Sequence, residues 1–470
     1  MIHQNKNRST QISEKSHGIL VLYYCITYQT TVRFDLKKMS ESKVNPITDG
    51  GTSVDIPLLK DEKAALLYEF GVATVTFYKG DFVAASTALR AQFSLVIAAN
   101  PWLAGRLVNA KKSGGVTLRH PAVVAADSLY IDELFTSANA KEAASKGLVL
   151  APTKPYAEMM TELYAGKKFI VDSGLSLVDK DKPVTLLTLA ESAPGEFAMV
   201  FSISHGIADG RTYYEILQML QPGADIRTLI SKRVMSFSAD QRKAFGEKEQ
   251  AWQDGVAAGM IFMGAMMCKK QARCYAFHLD DVKLAEAKKS SAVGVDYVST
   301  NDVLTSAFFN TVQARVAWMG FDCRDKGLPG IDGTLAGNYV TALVLGPEVF
   351  ETPASMRQMY TPGQPYVTAK RKLPGCGCCC GRGNLAQATN WSGFTGTLVR
   401  PADCEMVLHL PAMNPAYIYW DYMIPFVSGV DAEGGIKKGV MCWTTSSDED
   451  ALKAALPVGE SVSAVLFPKV

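Results

Sequence analysis

One stretch, residues 196–220, constrains the fold of this 470-residue chain more than any other. Its first half, EFAMVFSISH, is almost unbroken in apolar residues and reads as a buried strand over residues 196–205. The next residues, Gly206-Ile-Ala-Asp-Gly210, carry two glycines that permit turns a Cβ would resist. Residues 211–220 then read as an amphipathic helix, stopped by Pro222-Gly223. A buried strand passing through a tight turn into a helix belongs to a fold in which helices cover sheets.

The rest of the chain has the same mixed character. Strand patterns are expected over residues 54–59, 72–78, 115–119 and 183–191, with a helix over 81–99 ended by Asn100-Pro101. A second globular stretch has helices over residues 281–290 and 302–318, the latter entered through Ser299-Thr300-Asn301. Strands follow over residues 340–345, 405–410, 438–444 and 461–467. There is no repeat period, so the economical arrangement is α/β, with two domains joined by a crossover. The expected boundaries are an extension over residues 1–52, one domain over 53–225, a crossover over 226–285 and a second domain over 286–470. Within the crossover, residues 256–268 form an apolar, Met-rich run. It reads as a buried or bridging helix, with a lid or membrane-contacting helix as the alternative.

Composition narrows the partners. Net charge is +2, which argues against nucleic acid or an anionic membrane as the main partner and leaves small-molecule chemistry. No uninterrupted apolar run reaches the roughly 18 residues of a membrane span. Ten cysteines in this length do not suggest a secreted disulfide scaffold, and a reducing, cytoplasmic setting is expected. Cys376, Cys378, Cys379 and Cys380 crowd into a glycine-rich segment that reads as a surface loop, with palmitoylation or incidental metal binding as alternatives. Residues 18–28 resemble a weak signal peptide, but without a convincing small-residue cleavage site residues 1–38 read first as a loose extension or an upstream misread, with a targeting segment as the alternative.

His205, at the end of the buried strand, has the side chain best suited to proton transfer near neutral pH. Asp209, four residues on, orients the imidazole, shapes the turn or caps the following helix. Spacing alone does not separate these roles. The other histidines give no metal-ligand spacing: His278 and His409 have the apolar flanks of core residues, and His120 precedes Pro121 at a turn.

Several further segments occur in a definite order. These are PWLAGRL over residues 101–107, SISHGIADGRTYYEIL over 202–217, and STNDVL over 299–304 continuing to Ala314-Arg315. Gly337-Asn338-Tyr339 and Thr389-Asn390-Trp391 come next. The set resembles the BAHD acyltransferases and the wider superfamily that includes chloramphenicol acetyltransferase and peptide-synthetase condensation domains. Residues 402–405, Ala-Asp-Cys-Glu, stand where BAHD enzymes carry Asp-Phe-Gly-Trp-Gly, which points to a divergent branch.

The resemblance implies two chloramphenicol-acetyltransferase-like domains, with mixed sheets flanked by helices and an active site in a tunnel between them. It implies acyl transfer from a CoA thioester to a hydroxyl or amine of a small molecule, by a monomer, with acyl-CoA as co-substrate and no resident cofactor or metal. His205 would be the general base, and Thr389 and Trp391 would contact the tetrahedral intermediate. Asp209 and Gly210 would be structural, with Arg315 as the arginine paired to Asp209. Alternatives on the same fold are a carrier-protein or lipid thioester as donor, or a noncatalytic small-molecule-binding protein.

Overall fold

The computed structural model describes residues 52–66, 71–110, 115–165, 168–256, 258–261, 264, 272–360, 384–394, 398–431 and 433–462. The expected extension, apart from residue 52, the Cys376–Cys380 cluster and most of the Met-rich run lie outside these residues. In chain order the strands are β1 (Ser53–Pro57), β2 (Val72–Lys79), β3 (Arg106–Ala110), β4 (Gly115–Pro121) and β5 (Phe135–Ala138). They continue with β6 (Thr185–Ala193), β7 (Glu196–Ile203), β8 (Arg273–Leu279), β9 (Ala314–Asp322) and β10 (Val340–Leu345). The last are β11 (Asn384–Ala388), β12 (Glu405–Pro411), β13 (Asp421–Val430), β14 (Ile436–Thr444) and β15 (Val458–Ser461).

Two large mixed sheets organise the molecule. One has the order β12-β2-β7-β6-β5, the other β10-β9-β11-β13-β14-β8-β15, and β1-β4-β3 form a small third sheet. The apolar runs of β2 and β7 are buried along nearly their whole length, as strands covered on both faces must be. They pair antiparallel from Val72↔Ile203 to Lys79↔Glu196, which brings the end of β7 beside the start of β2.

The helix Phe82–Ala99 starts where the sequence indicates, because the Asp81 carboxylate accepts hydrogen bonds from the Val83 and Ala84 amides. At 18 residues and a mean hydropathy of 1.5 it meets the length and composition of a membrane span, which a search for uninterrupted apolar runs misses. Its buried side chains, Phe82, Ala85, Leu89, Phe93, Val96 and Ile97, recur at three- and four-residue steps within the main core. On the same helix, Gln92 Nε2 donates to the Met219 carbonyl at 2.9 Å. This is the pattern of a core helix.

Sheet membership cuts across the expected boundaries. β8, from the expected crossover, lies inside the seven-stranded sheet and pairs with β14 and β15. β12, from the expected second domain, is an edge of the five-stranded sheet and pairs antiparallel with β2.

The helix expected over residues 302–318 is shorter. It runs Thr300–Thr311, capped by the Ser299 hydroxyl, and the chain then turns through Gln313 at φ 52° into β9. Residues 314–318 are apolar enough to fit either period. Pairing on both sides, with β10 and β11, decides for the strand.

Candidate active site

The turn that follows β7 is fixed by the backbone before any side chain acts. Ser204 N–H donates to the Val184 carbonyl at 2.8 Å, and Ile207 N–H donates to the Ser204 carbonyl at 3.0 Å. Asp209 then caps the helix Gly210–Met219, its Oδ1 accepting from Thr212 N–H at 2.8 Å. The two glycines of the turn are needed for space, since neither is among the residues with positive φ. A Cβ at position 206 would sit 2.3 Å from Leu66 Cδ2, and one at 210 would sit 3.2 Å from Trp391 Nε1.

His205 lies in this turn, half-buried. Its Nδ1 is 3.1 Å from the Ala208 carbonyl oxygen. A carbonyl can only accept, so Nδ1 carries the proton and Nε2 carries the lone pair. Burial lowers the imidazole pKa below its ordinary 6.5, while its own backbone carbonyl, the Asp209 carboxylate, the Ala208 carbonyl and the Asn338 side chain oppose the shift. The ring is therefore neutral near physiological pH, with a fixed tautomer that leaves Nε2 able to take a proton.

Asp209 faces away from that exchange. Its Oδ2 pairs with Arg324 Nη1 at 2.7 Å and accepts from Tyr339 N–H at 3.0 Å, and both side chains are 1% exposed. Burial alone would raise the carboxyl pKa; the Arg324 guanidinium and the Thr212 and Tyr339 amides bring it below the ordinary value. The Arg324 Nη2 reaches Thr212 Oγ1 at 2.9 Å and the Gly337 carbonyl at 2.7 Å.

This corrects the expected partner. Arg315 is on an exposed position of β9, and the arginine that meets Asp209 is Arg324, just beyond the end of that strand. Arg315 is the positional match that the resemblance implies, and it falls on β9 with its side chain exposed, away from Asp209's partner site. The sequence signal for Arg324 is its place in Asp322-Cys-Arg324-Asp325, where three charged residues sit together. Asn338, without a role at the level of sequence, donates from Nδ2 to the His205 carbonyl at 2.5 Å.

The second half of the chain reaches the turn a second time. Thr389 N–H donates to the Met423 carbonyl at 3.1 Å and Trp391 N–H to the Pro425 carbonyl at 2.8 Å, so both residues continue along β13 beyond the end of β11. Trp391, buried, brings its indole against Gly210 and packs edge-on to Tyr214 at 5.8 Å between ring centroids. Thr389 is half-buried, and a Cβ at Gly320 of β9 would lie 3.2 Å from its Oγ1. The structure thus brings Gly210, at the end of the turn that holds His205 and Asp209, against Trp391, and sets Thr389 two residues away along the same segment.

No protein-family model and no curated protein sequence matches the chain. Solved structures do. TRI101 from F. graminearum, complexed with coenzyme A and T-2 mycotoxin, aligns at a TM-score of 0.52 and 14% identity, over 87% of this chain and 100% of its own. Polyketide synthase associated protein 5 from Mycobacterium tuberculosis aligns at 0.51 and 15%, over 86% and 97%. The first condensation domain of the CDA synthetase aligns at 0.50 and 13%, over 85% and 93%. At these identities the likeness is one of fold, and the chain shares its fold with all three structures along most of its length. In the chain described here, that fold delivers the histidine turn from one half and its arginine, asparagine and tryptophan neighbours from the other.

Proposed function

We propose that this protein transfers an acyl group from an acyl-CoA thioester to a hydroxyl or amine of a small molecule, with His205 as general base. The observation that carries the reading is the Nδ1–H bond from His205 to the Ala208 carbonyl, which leaves Nε2 as the proton acceptor in a turn locked by Asp209 and Arg324. In the proposed reaction Nε2 removes the acceptor's proton as its oxygen or nitrogen attacks the thioester carbonyl. The tetrahedral intermediate collapses by breaking the C–S bond, and the imidazolium returns its proton to the departing thiolate. Thr389 Oγ1 is the proposed donor to the oxyanion, with Trp391 closing that side of the site, a role that stabilises charge present only during the reaction. TRI101 holds coenzyme A in this fold, which supports CoA as the donor's carrier.

The test is a matrix of acyl-CoAs of varied chain length against small alcohols and amines, run with the wild-type protein and with His205→Ala. Transfer by wild type and its loss in the variant supports the reading. Transfer only from carrier-protein thioesters would move the donor class, and tight ligand binding with no transfer from any thioester would make the protein a noncatalytic binder.

A further inference from the structure

The histidine turn is held by a second buried ion pair besides the one that Arg324 makes. Glu62, in the helix Lys60–Ala65, and Arg233, from the segment joining the two halves, are 0% and 1% exposed and 2.8 Å apart at Oε1 and Nε. Arg233 spends its remaining donors on backbone: Nη1 on the Ser231 carbonyl at 2.7 Å and the Ala336 carbonyl at 3.0 Å, and Nη2 on the Ile207 carbonyl at 3.1 Å. Glu62 accepts from Asn338 N–H at 3.1 Å, and the Asn338 side chain is the one that holds the His205 carbonyl.

These contacts close a ring around the turn. The Ala208 carbonyl, which sets the tautomer of His205, belongs to the residue between Ile207, held by Arg233, and Asp209, held by Arg324. The anchor is itself fixed, because Ile230 and residues 334–336 exchange backbone hydrogen bonds: Ile230 N–H to the Thr334 carbonyl and Ala336 N–H to the Ile230 carbonyl, both at 2.9 Å. Packing is equally close at Gly337, at φ 134°, where a Cβ would be 3.0 Å from Arg233 Cζ and from Glu62 Oε1.

A fully buried ion pair contributes little net stability over apolar residues of the same size. Its persistence here calls for another explanation, and the carbonyls it holds supply one. We infer that Arg233, charge-balanced by Glu62, is a positioning residue for His205: it holds the Ile207 carbonyl so that Ala208 can fix the imidazole with its proton on Nδ1. The inference rests on the reading of His205 as the base. Lysine at this position would keep the charge but lack the planar fork that bonds Glu62 and three carbonyls at once.

The experiment uses the full-length protein and the variants Arg233→Lys, Arg233→Met and the double variant Glu62→Gln/Arg233→Met, which leaves no orphan charge if the single change does not fold. Two readouts are taken: kcat and KM for acyl-CoA, and the tautomer of His205 from ¹⁵N NMR of the imidazole. The expected result is a fall in kcat of about 10- to 100-fold, the scale of a remote misplacement of a reacting group. KM for acyl-CoA stays within about twofold, and the single Nδ1–H tautomer becomes a mixture. Arg233→Lys recovers part of both. A folded double variant with wild-type kcat and an unchanged tautomer overturns the inference, as does a parallel loss of thermal stability, CoA affinity and kcat, which marks a purely structural pair. If wild-type protein transfers no acyl group, the function fails on its own, while the tautomer still reports whether Arg233 positions the ring.

Discussion

His205 and His409 are both held below the ordinary imidazole pKa by burial, yet they sit in regions built for opposite ends. His409, on β12, is 1% exposed. Its Nδ1 bonds the Thr76 hydroxyl at 2.7 Å and its Nε2 the Tyr214 hydroxyl at 3.4 Å. Hydroxyls can donate or accept, so neither ring nitrogen is assigned a fixed role. His205 is half-buried, and its partner is a carbonyl that permits a single tautomer. The acceptor-only partner of His205 assigns its proton to Nδ1, the arrangement the proposed base needs, whereas both ring nitrogens of His409 are met by core hydroxyls.

The largest way to disturb this contrast is to remove the charge behind the His205 turn. Arg324→Met leaves Asp209 buried without its partner and is expected to cost about 3–5 kcal/mol in denaturant unfolding, with activity falling as the turn loosens. His205→Ala should leave the fold intact and lower kcat by at least about 100-fold in steady-state assays. His409→Leu should do the reverse. It removes the ring partner of the Thr76 and Tyr214 hydroxyls and is expected to cost about 1–3 kcal/mol of stability, with kcat changed only a few-fold; a lost turnover at unchanged stability would break the comparison.

Acid separates the two by observable. As the proposed base, His205 would act only when neutral, so protonation would remove activity as pH falls; because burial lowers its pKa, the acid limb of kcat/KM is expected below 6.5. His409 is pushed down to about 3 in the folded protein. A depressed folded pKa gives stability that is present above the unfolded value and lost as pH falls through the folded one. Unfolding free energy should therefore decline from about pH 6.5 towards pH 3, and His409→Leu should flatten that decline. The smallest effect is the sharpest check on the ion-pair assignment: Arg315→Ala, at an exposed position, should change stability by no more than about 0.5 kcal/mol.

What was legible in the sequence was local. The end of β7, the turn and the helix after it follow from an apolar run, two glycines and a capping aspartate, all within reach of one another along the chain. The strand-like, apolar-flanked setting of His409 likewise pointed to a core residue. The arginine paired with Asp209 was not legible, because it lies 115 residues away, past a helix end marked only by the positive φ of Gln313. Glu62 and Arg233 carry no local mark in the sequence; their burial as a pair comes from the folded structure, where they meet 171 residues apart. The placement of β8, from the expected crossover, inside the seven-stranded sheet and of β12 at the edge of the five-stranded one carries no local mark, since pairing depends on which strand edge is free to accept it.

The placement of β12 sets an order of assembly. One edge of β2 waits for β12, so Thr76 meets its ladder partner His409 only after 333 further residues have been added to the chain. During synthesis the first sheet emerges early with an open, apolar border, and nothing nearby in the chain can seal it. Cutting the gene between the two halves would give a first fragment that lacks its own outer strand, prone to pair with copies of itself. Supplying residues 405–411 in trans, as part of the second fragment, is what would restore it.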